Sequence, residues 1–81
     1  MQNQSVQLFR EMLDAFVFFH LGSDAQIRVE VFEGGLRVGL EHSRVRPIGF
    51  TVGEAELAAM NRDSAVFEEF MLEHLVKRRR A

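Results

Sequence analysis

Three histidines, His20, His42 and His74, have the widest chemical repertoire in this 81-residue chain, as metal ligands, proton carriers or bases. A transition-metal site would need them to converge, with Asp24 as a further ligand. No HxH or HxxxH spacing sets two of them on one strand or one helical turn. His20 and His74 each close an apolar helical stripe, a place where histidine usually caps or packs at the border of a core. No metal site and no cofactor are therefore expected.

His42-Ser43 sets a base beside a hydroxyl, but neighbouring side chains on a strand point to opposite faces, and a serine nucleophile needs its base within hydrogen-bond reach. The carboxylates fall on helix surfaces or in cross-strand positions, not in the convergent pocket that acid-base catalysis requires. The chain has no cysteine, which excludes a thiol nucleophile, a disulfide framework and a cysteine zinc site. Gly34-Gly35 reads as a turn and not as a phosphate-binding loop. The expectation is a protein without catalytic activity.

The elements that position these residues begin with the stretch Ile27 to His42. Ile27, Val29 and Val31 alternate with Arg28, Glu30 and Phe32, and Leu36, Val38 and Leu40 alternate with Arg37, Gly39 and Glu41. This is the period of two half-buried strands. A two-residue Gly34-Gly35 turn would set Val31 opposite Val38, Val29 opposite Leu40, Arg28 opposite Glu41 and Phe32 opposite Arg37. A slip by one residue would turn charges into the core.

Before the hairpin, Ser5 to Leu21 reads as a helix, with Ser5 as N-cap and Gly22 as stop. Val6, Phe9, Leu13, Phe16, Val17 and His20 form one stripe and Leu8, Met12 and Phe19 a neighbouring one, so the helix needs cover on more than one side. After the hairpin, Val45, Ile48, Phe50 and Val52 supply a third strand, which Pro47 confines to the sheet edge or breaks. Thr51-Val52-Gly53-Glu54 has capping-box spacing and opens a short helix through Met60, with Leu57 and Met60 inward. Asn61 to Asp63 interrupts it, and Asp63 or Ser64 caps a final helix. There Val66, Phe67, Phe70, Met71, His74 and Leu75 line one face, with Glu68, Glu69 and Glu73 behind.

The fold class is α+β over a single domain, residues 1–81: an N-terminal helix, a small antiparallel sheet of a hairpin plus a weak third strand, and two C-terminal helices. The order helix, strands, helix resembles the double-stranded-RNA-binding domain in topology alone. Where that domain carries RNA-contacting lysines, at the helix after the strands, this chain has VGEAELAAM with Glu54 and Glu56.

A hydrophobic fraction of 47% with 27% charged residues is that of a folded protein, and 81 residues leave only a small core. Eight phenylalanines without tryptophan or tyrosine are many for that interior, so some are expected between chains. This points to a homodimer through the first or last helix. A net charge of -2 disfavours nucleic acid as the main partner, since a basic domain is its usual footprint. The alternative reading is a nucleic-acid-binding regulator using Arg28, Arg37, Arg44 and Arg46 with the Lys77 to Arg80 tail, but Glu30, Glu33 and Glu41 interleave with those arginines. The first segment has no basic leader followed by an apolar run and no stretch long enough to span a bilayer, which reads as a cytoplasmic chain without membrane attachment.

The expected role is that of a small interaction module, an inhibitor or adaptor that binds another protein or protein complex. Accessory proteins of phages and other mobile elements, inhibitors of bacterial defence systems among them, have this character. Two surfaces are candidates for partner contact. One is the outer hairpin face of Arg28, Phe32, Arg37 and Glu41, where phenylalanine and arginine are good anchors. The other is the acidic back of the last helix, Glu68, Glu69 and Glu73, as a mimic of phosphate charge.

Overall fold

Helix α1 runs from Asn3 to Leu21 in a computed structural model that describes residues 3–43 and 45–80. Ser5 therefore lies inside the helix and is not its cap. Instead its carbonyl oxygen accepts a hydrogen bond from Asn61 Nδ2 at 3.0 Å. Gly22 does stop the helix: its φ of 81° is a conformation that side chains resist, and a short 3-10 turn, Gly22–Asp24, follows. Three antiparallel strands come next, β1 (Gln26–Phe32), β2 (Gly35–His42) and β3 (Val45–Gly53), side by side in chain order. Two helices close the fold, α2 (Glu54–Arg62) and α3 (Ser64–Arg80).

The hairpin register differs from the expected one by two residues. Val29 pairs with Val38, Val31 with Leu36, Ile27 with Leu40, Glu30 with Arg37 and Phe32 with Gly35. The turn is Glu33-Gly34, and only Gly34 takes a positive φ, 93°, the pattern of a type II turn. Gly35 belongs to β2, where a Cβ would collide with the Val52 carbonyl oxygen of β3. The glycine pair thus divides its work between a turn and a close strand approach. A slip of two keeps every side chain on its face, so the inner and outer sets stand while the partners change. Glu41 is opposite Gln26 and Arg28 is opposite Gly39, in place of the expected Arg28 with Glu41.

On the other side of β2, Leu36 pairs with Val52, Val38 with Phe50 and Leu40 with Ile48. The register then shifts between Leu40 and His42, which pairs with Val45, so Arg46 and Pro47 together oppose Glu41. This is a bulge, and it sits at the proline on an edge strand, as the missing amide hydrogen requires.

The inner face joins Leu36, Val38, Leu40, Ile48 and Val52 to Phe9, Leu13, Phe16, Val17 and Leu21 of α1, Leu57 and Met60 of α2, and Phe67, Met71 and Leu75 of α3. Phe67 anchors this core. Its ring meets Phe9 and Phe16 edge-on at 5.9 and 5.7 Å, a geometry that suits the ring quadrupoles. Phe50 and Phe70 pack at its border with the His74 ring, whose Nδ1–H donates to the Phe70 carbonyl at 2.8 Å. Val66 and Val31, both expected inward, are exposed.

Capping also shifts by two. Gly53, not Thr51, precedes α2, and its N–H donates to Glu56 Oε1 at 3.0 Å, which keeps the expected spacing of three. The Glu54 amide reaches back to the Gly34 carbonyl at 3.2 Å and ties α2 to the hairpin turn. Asp63 caps α3 as expected, with Oδ1 accepting from the Ala65 amide at 3.0 Å and its carbonyl from Val66 and Phe67.

Candidate interaction surfaces

With all three helices on the inner face, the outer face of the sheet lies open. Parity sends Arg28, Glu30 and Phe32 of β1, Arg37, Gly39 and Glu41 of β2, and Gly49 and Thr51 of β3 to that side. The four expected contact residues, Arg28, Phe32, Arg37 and Glu41, therefore share one exposed surface. The Arg37 guanidinium sits 5.9 Å from the Phe32 ring centre across the strand diagonal, and Phe32 still leaves 43% of its surface in solvent.

Between these side chains the sheet has a glycine floor. Gly39 pairs with Arg28 on one side and Gly49 on the other, which leaves a trough lined by Gln26, Arg28, Gly39, Glu41, Pro47 and Gly49. A second hollow continues it past Glu30, Arg37 and Thr51. Neither glycine has a positive φ. A Cβ at Gly39 would lie 3.9 Å from the Arg28 Cβ, and one at Gly49 would lie 3.9 Å from the Val38 carbonyl oxygen, both ordinary contact distances. Glycine inside a strand costs about 0.5 to 1 kcal/mol against alanine. Nothing within the described residues requires that cost at Gly39 or Gly49, whereas the collision with β3 explains it at Gly35. Alternation alone treats both glycines as blanks on the polar face, so neither stands out in the sequence. The signal that finds them is the register, which brings the two side by side.

The acidic back of α3 divides. Glu69 and Glu73, one helical turn apart, are exposed, but Glu68 borders a groove between α1 and α3 beside Phe19 and His20. That groove continues the apolar line Leu8, Met12, Ala15 and Phe19 along α1, with Phe19 83% exposed. Of the arginines in the alternative reading, Arg28 and Arg37 lie on the outer face, with Glu30 directly opposite Arg37, and Arg46 is exposed on β3. Arg44 and the side chains of Lys77 to Arg80 lie outside the described residues.

The histidines stand apart. His20 stacks on Phe16 at 4.2 Å at the end of α1, His74 borders Phe50 and Phe70, and His42 is buried with Nε2–H donating to the Leu21 carbonyl at 2.8 Å. That carbonyl lies at the junction of α1 and the 3-10 turn, so His42 ties the end of α1 to the end of β2. Among the described residues, no group of three or more histidine and carboxylate side chains is arranged to hold a metal ion, and no helix is long and apolar enough to cross a membrane. Comparison with known protein families, curated proteins and solved structures finds no match to this chain.

Proposed function

We propose that the protein is a non-enzymatic interaction module of the cytoplasm that binds another protein or protein complex through the outer face of its sheet, acting as an inhibitor or adaptor. The observation that carries this reading is the Gly39-Gly49 floor. Strand glycines that no turn, strain or internal packing accounts for mark places where a ligand or another backbone comes close. Here they lie beside Arg28 and Arg37, on the face that also carries Phe32 further along the hairpin, residue types that anchor interfaces.

Mixed charge favours a protein over nucleic acid as the occupant. Glu30 and Glu41 share the face with Arg28 and Arg37, so a polyphosphate backbone meets repulsion as well as attraction there. A partner presenting both signs meets none. The acidic residues Glu68, Glu69 and Glu73 remain a second contact surface.

The test is co-purification from host lysate after nuclease digestion, with wild type beside Phe32→Ala and a triple charge reversal at Glu68, Glu69 and Glu73. The proposal expects a stoichiometric protein that survives nuclease and weakens at least tenfold with Phe32→Ala. Recovery of nucleic acid alone, lost on digestion and steeply dependent on salt, supports the arginine-based alternative and rejects this one.

A further inference from the structure

The two edges of the sheet are built differently. On β3, Pro47 removes a donor and the bulge opposite Glu41 interrupts the ladder, both devices that keep an edge from recruiting another strand. On β1 neither device is present. Its residues Gln26 to Phe32 pair with β2 in seven consecutive steps without irregularity. They include three β-branched residues and contain no proline, no lysine and no inward-pointing charge. Among the described residues, no backbone hydrogen bond from a turn or loop reaches the outer edge of β1. Val31 faces inward, opposite the fully buried Leu36, yet is 59% exposed, and Ile27 and Val29 are only half-buried. The core is unfinished along this edge.

We propose that a second copy of this chain completes it, β1 pairing antiparallel with β1 about a two-fold axis to make one six-stranded sheet. The charge pattern selects the register. A two-fold axis normal to the sheet pairs residues of equal parity, so it passes midway between the two copies of one residue, which face each other. Centred on Val29, the midpoint of β1, it uses all seven residues and sets Arg28 of each copy against Glu30 of the other. Ile27 then meets Val31 on the inner face, and Gln26 meets Phe32 on the outer. Centring on Arg28 or on Glu30 instead sets like charges face to face. The register with the greatest overlap is thus the one with two complementary ion pairs.

One strand pair covers less than the roughly 1,600 Å² of a standard interface, the size class of transient contacts, so the association is sought up to high chain concentration. The pairing stands independently of any foreign partner. It extends the glycine-floored face without covering it, because strands join at the edge.

The experiment is sedimentation velocity on the purified full chain up to about 100 μM, with circular dichroism as a check on folding. Wild type is expected at twice the 9.3 kDa chain mass at the upper concentrations. Arg28→Glu sets a carboxylate against a carboxylate in both pairs, and Glu30→Arg sets a guanidinium against a guanidinium. Each single variant should dissociate at least ~10-fold more readily. Mixing the two variants restores both opposite-charge pairs and should restore the dimer as a heterodimer, as should the double variant in one chain. Misfolding would not be rescued by mixing. A wild type that stays monomeric throughout the concentration range overturns the proposal. So does a dimer indifferent to both reversals, which would place the contact on the Leu8 to Phe19 line of α1.

Discussion

Three glycines within fifteen residues have two different reasons to be glycine. Gly35 is fixed by the Val52 carbonyl behind it, and Gly35→Ala should lower stability by about 1 to 3 kcal/mol in denaturant titration, because backbone atoms must move. At Gly39 and Gly49 a Cβ would make only ordinary contacts, at 3.9 Å. Alanine at either should leave stability unchanged or raise it by about 0.5 to 1 kcal/mol, while weakening partner binding. Opposite signs for stability and binding are what a site kept bare for a ligand predicts. His42 shows the same logic for a polar group. His42→Ala removes the donor from the buried Leu21 carbonyl and should cost about 1 to 3 kcal/mol. None of these roles is visible in composition. Gly34-Gly35 reads as one turn because two adjacent glycines meet the needs of a hairpin loop, and only the approach of β3 separates them.

The period of each element was legible and the phase was not always so. Alternation fixed which residues of β1 and β2 face inward, but it is blind to a slip of two, which preserves parity. The turn chose Glu33-Gly34 because Gly34 alone needs a positive φ there. The start of α2 moved by the same two residues, from Thr51 to Gly53, since a carboxylate three positions on serves either frame and β3 continues through Gly53. Asp63 was legible because a side chain that accepts from a helix's first amides is a local device. Asp63→Ala should lower thermal stability by about 0.5 to 2 kcal/mol through the loss of the α3 cap. The exposure of Val31 was not legible, because it depends on where the helices lie over the sheet and not on the strand's own pattern.

At the scale of the molecule, the eight phenylalanines sort into three classes. Phe9, Phe16 and Phe67 form the core, Phe50 and Phe70 its border, and Phe18, Phe19 and Phe32 stand exposed. The phenylalanines outside the interior lie on α1 and the outer sheet face. The helices cover one side of the sheet and leave the other bare, with a floor that nothing internal requires. Occupation of that floor by a partner protein is the centre of the proposed function. Its most direct test is quantitative capture of the partner from nuclease-treated host lysate by wild type and by Gly39→Val, whose side chain suits a strand and fills the trough. A stoichiometric protein is expected on wild type and lost from the variant, which should be folded and at least as stable. Equal capture by the filled variant would contradict an occupied floor.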